Sequence, residues 1–116
     1  MKKIAIPTGK GLHFVNSTDI ILLEGDGNYT NIYVRQAQAP AQTVKYVACY
    51  PLCYFAPRLQ TERFTRVCKK YIVALGYVTD VLKNHTVVMD FDFKGVIHVS
   101  SSYCKNLPEL ILKQDF

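Results

Sequence analysis

Four consecutive large aliphatic residues, Ile20-Ile21-Leu22-Leu23, are followed by Asp26-Gly27 and then by the run Tyr29 to Arg35. No other stretch constrains the fold as much. Asp-Gly is a preferred centre for a type I′ turn, whose twist suits the two antiparallel strands it joins. In the second arm Thr30, Ile32 and Val34 alternate with Asn31, Tyr33 and Arg35, so one face is wetter than the other. The first arm has no wet face. An aliphatic quartet points apolar side chains to both sides, which predicts a strand inside a sheet or between layers.

The rest of the sequence offers short pieces to cover it. Lys3 to Ile6 reads as a strand stopped by Pro7, Leu12 to Val15 as a second, and Asn16-Ser17-Thr18 as a turn. Thr8-Gly9-Lys10-Gly11 is also a turn: it lacks the upstream glycine and the Ser or Thr that a phosphate-binding loop requires. Thr43 to Val47 is strand-like, and Tyr71 to Leu75 is an uncharged, β-prone run that reads as a buried strand. After Gly76 come strands at Tyr77 to Leu82, Thr86 to Phe91 and Val96 to Val99, with turns at Lys83-Asn84-His85 and Lys94-Gly95. Ser100 to Ser102 are cap residues, and a last short helix can start near Asn106-Leu107-Pro108. Many short strands and one or two short helices predict a mainly β, antiparallel domain spanning residues 1–116.

Charge narrows the function. Arg58, Arg63, Arg66, Lys69 and Lys70, opposed in that interval only by Glu62, hold most of a net charge of +5. They stand at the mouth of the Tyr71 to Leu75 strand, a good way to present cations to a polyanion, although a merely solvated basic surface would look the same. The pI of about 9.1 fits a nucleic acid or an acidic surface better than an acidic small molecule. No segment approaches the roughly 18 apolar residues of a membrane span, and Ile4-Ala5-Ile6-Pro7 is too short for a signal-peptide core. A cytoplasmic location is expected, so Cys49, Cys53, Cys68 and Cys104 are read as free thiols. There is no C-x-x-C pair and His13, His85 and His98 are scattered, so no metal and no cofactor are expected. Nor is catalysis: Ser100 to Ser102 lie near His98 with no acid placed to orient it, and Asp90 and Asp92 read as solvated charge.

Phe64-x-Arg66-Val67-Cys68-Lys69-Lys70-Tyr71-Ile72-Val73-Ala74 resembles the F-x-R-x-H-x-S-[YF]-x-V-N core of the LytTR (LytR/AlgR-type) DNA-binding domains of bacteria. Asp19 to Glu24 followed by Asn28-Tyr29 resembles the family's D-I-x-x-[IL]-E…N-Y segment, and Ile97-His98-Val99-Ser100 its I-P-V-S ending. The likeness runs from about residue 4 to residue 112. It implies an elongated stack of small antiparallel sheets whose inter-strand loops, not a recognition helix, enter DNA. It also places the main helix near Ala48 to Ala56, with Leu52, Phe55 and Leu59 on a buried face, Pro51 in the first turn and Pro57 limiting its length.

Carried over position by position, the resemblance implies DNA contacts at Asn28, Tyr29 and Thr30; at Arg66, Cys68, Lys69 and Lys70; and at Ser101, Ser102 and Lys105. Several depart from the pattern. Cys68 replaces His, Lys70 replaces Ser, Ala74 replaces Asn, and Ser101 and Ser102 stand where the family usually has Arg. Serine cannot reproduce the bidentate fork with which arginine reads guanine. Two lost readers at about 1–3 kcal/mol each remove much of a specificity gap of about 4–10 kcal/mol. The expected function is duplex DNA binding, with weakened or altered sequence choice, in transcriptional regulation. Homodimerisation is left open, and the receiver or membrane sensor that usually precedes such a domain is not in this sequence, so the upstream regulatory partner is unknown. Two other readings stand beside it. One is a protein-interaction module using Tyr46 to Phe55. The other is a single-strand binder that stacks bases on some of its eight tyrosines.

Overall fold

The computed structural model describes residues 3–36, 42–59, 62–93 and 95–100. The strands are β1 (Lys3–Thr8), β2 (Gly11–Asn16), β3 (Ile20–Asp26), β4 (Tyr29–Arg35), β5 (Thr43–Ala48), β6 (Phe64–Arg66), β7 (Tyr71–Ala74), β8 (Val78–Val81), β9 (Thr86–Met89) and β10 (Ile97–His98). Among the described residues there is one short α-helix, α1 (Leu52–Phe55), which runs into a 3-10 turn at Ala56–Arg58 with Pro57 near its start; the last helix expected near Asn106 lies outside the described residues. All pairing is antiparallel, in a two-stranded sheet β1-β2, a five-stranded sheet β5-β4-β3-β7-β6 and a three-stranded sheet β10-β9-β8. The mainly β architecture expected from the sequence is the one observed.

The aliphatic quartet sits in the middle of the middle sheet, buried on both sides: Ile20, Ile21, Leu22 and Leu23 are each no more than 1% exposed. Ile20 and Leu23 face a core closed by β1, β2 and α1 through Ile6, Val15, Leu52 and Phe55. Ile21 and Leu22 face a second core, closed by β9 and β10 through Val87, Met89 and Ile97. Two neighbours can share a face only if the pleat is broken. It is: pairing with β4 steps from Ile20↔Val34 to Leu22↔Tyr33, so Ile21 is the extra residue of a bulge.

Several boundaries move. Pro7 lies inside β1 rather than ending it. Its carbonyl accepts the Cys49 N–H at 2.8 Å, so Pro7 faces β5 and its missing N–H takes nothing from the ladder with β2. The Tyr71 run ends at Ala74, and Leu75–Tyr77 is a 3-10 turn, although Tyr71 to Leu75 are all buried as expected. Leu52, Phe55 and Leu59 are 4%, 1% and 7% exposed, so all three are core as expected, although the helix expected near Ala48 to Ala56 is a single turn and Leu59 follows it in extended chain. The Lys83-Asn84-His85 turn is present, with His85 left-handed at φ 64°.

Candidate nucleic-acid interface

Antiparallel order brings two loops to one end of the middle sheet. The first joins β3 to β4. Asp26 pairs with Tyr29, so the central turn residues are Gly27 and Asn28, one position later than Asp-Gly predicts. Only Gly27, at φ 61°, is left-handed here; that is the signature of a type II′ turn, whereas type I′ needs two such residues. Asn28 and Tyr29 are exposed, Tyr29 by 52%.

Thr30 is the exception among the expected contacts. It is fully buried, and its hydroxyl donates to the Tyr50 carbonyl at 2.8 Å. The alternation that makes Thr30, Ile32 and Val34 one face turns Thr30 inward with the other two, so it cannot touch a ligand. It anchors the corner after β5 instead.

The second loop, Val67 to Lys70, joins β6 to β7. The Val67 N–H donates to the Tyr71 carbonyl at 3.1 Å, and Arg66 braces the turn from within. Its Nε donates to the Cys68 carbonyl at 3.2 Å and its Nη2 to the Lys69 carbonyl at 2.8 Å. Residues 68–70 bend between the strands and belong to neither. Cys68 is half-buried against the second core, which favours a space-filling role. Lys69 and Lys70 are exposed.

The two loops are stitched together by the Gly25 N–H, which donates to the Lys70 carbonyl at 2.7 Å. Beneath them Glu24 collects Asn31 Nδ2 at 3.0 Å and the hydroxyls of Tyr33 and Tyr71, each at 3.3 Å. Burial first, then the Glu24 charge, pushes the Tyr71 phenol up to about 12, and the same causes raise Tyr33. Lys70 Nζ lies 3.9 Å from Glu24, but its side chain is 58% exposed, and such a pair contributes little. Its charge remains available to solvent.

Between the loops lies a groove of about 310 Å³ lined by Gly25, Gly27, Cys53, Arg66, Lys69 and Lys70. Cys53, on α1, is a lining residue that sequence reasoning missed, because only the fold sets α1 against the two loops. Cations near one another in sequence are meanwhile divided. Arg58 packs on Tyr54, and Arg63 lies at the opposite end of the sheet beside Ile20 and Arg35. Ser101, Ser102 and Lys105 lie outside the described residues. The last described one, Ser100, donates its N–H to the Val67 carbonyl of the second loop at 2.6 Å. His98 Nδ1 lies 3.4 Å from Thr86 Oγ1 across the β9–β10 pair. Among the described residues no group of three or more His, Cys, Asp or Glu side chains could hold a metal, and no helix is long and apolar enough to cross a membrane.

The fold matches a solved structure, the LytTr DNA-binding domain of a Bacillus cereus protein described as a methyl-accepting/DNA response regulator. The TM-score is 0.69, at 18% identity, over 96% of this chain and 97% of that one. The family model of the LytTr DNA-binding domain matches residues 10–112, and this chain belongs to that family, one of DNA-binding domains rather than enzymes. Among curated proteins it is similar to the CO-responsive transcriptional regulator RcoM of Rhodospirillum rubrum, 28% identical over 96% of this chain and 45% of that protein. It is also similar to the heme-containing CO-sensing transcriptional regulator RcoM 2 of Paraburkholderia xenovorans, 27% identical over 94% of this chain and 39% of that protein. The chain thus spans less than half the length of these relatives.

Proposed function

We propose that this chain is the DNA-binding part of a cytoplasmic bacterial transcriptional regulator, and that duplex DNA lies across the sheet end formed by the β3–β4 and β6–β7 loops. Lys69 and Lys70 hold phosphates, Asn28 and Tyr29 meet the groove, and Arg66 contributes mainly by fixing the loop that carries the lysines. Cys68 contributes by shape, while Ser101, Ser102 and Lys105 extend the contact beyond Ser100. The supporting observation is the Gly25–Lys70 hydrogen bond, which holds the loop carrying the exposed lysines beside the exposed turn. With serines in place of the family's arginines, phosphate contacts dominate and sequence choice is weakened.

Affinity for random-sequence duplex at several salt concentrations tests this. Arg58 and Arg63 are drawn off elsewhere, so about two or three phosphates are neutralised and log K against log salt should slope near −2 to −3. Lys69→Ala/Lys70→Ala should flatten that slope by roughly two units. A slope near zero in the wild type, or an unchanged slope in the double variant, removes this end of the sheet from the interface.

A further inference from the structure

Next to the groove stands an aromatic column with one open end. The rings of Tyr50 and Tyr54 stack with centroids 4.4 Å apart and planes inclined by 15°. The Arg58 guanidinium lies 3.8 Å from the Tyr54 centroid. At these distances both neighbours cannot occupy one face of Tyr54, so the order is Arg58, Tyr54, Tyr50. The column is fixed at its backbone. Arg58 Nη1 donates to the Tyr54 carbonyl, the Tyr54 N–H donates to the Pro51 carbonyl at 3.0 Å, and buried Thr30 holds the Tyr50 carbonyl at 2.8 Å. Phe55, in the core, meets Tyr54 edge-on at 5.0 Å.

Tyr50 ends the column and is 44% exposed even though one of its faces is covered. Among the described residues no ring or cation covers the other face. A rigid, preoriented ring with a free face suits a flat π system, because little side-chain freedom is lost when a ligand stacks on it. Its position narrows the ligand class. Tyr50 directly precedes Pro51, Leu52 and Cys53, which line the groove shared with Lys69 and Lys70. In DNA the planar group tethered to phosphates is the nucleobase, and away from the outer face of a terminal pair a base offers a free face only when it has left the duplex stack.

Building on the duplex-binding reading, we infer that Tyr50 is a stacking platform for an unpaired nucleobase, at a bulge or a frayed end of DNA whose phosphates rest on Lys69 and Lys70. Arg58 and Tyr54 act as its support. Stacking of one base on an aromatic side chain accounts for roughly 5- to 150-fold in affinity.

Two duplexes of one sequence decide the matter, the first fully paired and the second carrying a single bulged 2-aminopurine, each titrated against wild type, Tyr50→Leu and Tyr50→Phe. Wild type should prefer the bulged duplex by about tenfold or more, with quenching of the 2-aminopurine emission. Tyr50→Phe should keep that preference and Tyr50→Leu should lose it. Should Tyr50→Leu fail to fold, as its melting curve would show, the wild-type affinity ratio and quenching still decide. Equal affinity for the two duplexes with unchanged emission overturns the inference and leaves the column to a protein partner. Preference retained in Tyr50→Leu overturns it as well. Failure of the duplex reading is a separate result: the paired duplex goes unbound, while a short single-stranded oligonucleotide carrying 2-aminopurine is still bound and quenched in a Tyr50-dependent way.

Discussion

The two ends of the five-stranded sheet are built from the same strands and differ in what they do with charge. At the end described above, Lys69 and Lys70 face solvent, and among the described residues the charged ones that line the groove are Arg66 and these two lysines. The acids of this end stand beside it, Glu24 3.9 Å from Lys70 and exposed Asp26 in the turn. At the other end two cavities of about 330 and 440 Å³ share Arg35, Tyr77 and Asp90, and one adds Arg63 while the other adds Asp92. Both signs are present there, and Tyr77 is occupied: its hydroxyl donates to the Thr18 carbonyl at 3.1 Å and Arg35 lies 5.6 Å from its ring centroid. A polyanion is attracted by a field of one sign, and interleaved opposite charges cancel at a distance. Both ends therefore carry acids; they differ in that cations line the groove at the first end, whereas cations and acids line the same cavities at the second.

The comparison can be tested most severely through the strand both ends share. Leu23 is fully buried between them, so Leu23→Ala should cost about 2–5 kcal/mol in a denaturant titration, with amide protection falling at both ends together. Protection lost at one end alone would mean the ends are independent units. A smaller effect separates them functionally. Lys69→Ala/Lys70→Ala should weaken duplex binding by roughly tenfold or more, since hydrogen bonds to charged groups are worth about 1.5–3 kcal/mol, whereas Arg35→Ala/Arg63→Ala should leave it within about twofold. Equal losses in the two double variants would erase the distinction.

Glycines sharpen it further. Gly27 is left-handed at φ 61°, so Gly27→Val should destabilise by on the order of 1 kcal/mol or more and lower DNA affinity with it. Gly76, at the far end, has open space around its Cβ position and no left-handed φ, so Gly76→Ala should stay within about 0.5 kcal/mol. Lost stability with binding intact in Gly27→Val would take this turn out of the interface.

Alkaline pH gives a further contrast. Tyr71 titrates near 10.0 when unfolded and at about 12 when folded. Its contribution is therefore complete below pH 10.0, declines between 10.0 and about 12, and is gone above that. Tyr77, raised by burial with Asp19 and Asp90 reinforcing and Arg35 opposing, loses its contribution in the same direction at the far end. Tyr71→Phe should remove part of the alkaline slope and cost about 1 kcal/mol at neutral pH, through one lost hydrogen bond to Glu24. An unchanged slope in this variant would assign the alkaline loss elsewhere.

Much of this molecule follows from local pattern. The aliphatic quartet had to be central because no single-sided strand buries four consecutive aliphatic residues, and Leu52 and Phe55 had to face a core because their spacing puts them on one side of a helix, while Leu59 reaches the same core from extended chain beyond the 3-10 turn. The alternation from Thr30 to Arg35 already pointed Thr30 inward, against its assignment as a contact; periodicity was the better guide to that side chain than family correspondence. What pattern could not supply is whatever depends on pairing register and on distant backbone. A bulge at Ile21 decides which core Leu22 enters, and a register of Asp26 against Tyr29 moves the turn by one residue. The basic cluster shows the limit most clearly. Between Arg58 and Lys70 the charges are neighbours in sequence, yet a β6–β7 hairpin sends Arg63 to one end of the sheet and Lys69 and Lys70 to the other, and Tyr54 takes Arg58. Sequence determines how much charge a segment carries, because charge is a property of residues. Only the tertiary structure decides where a field points, because direction is set by which backbones cross.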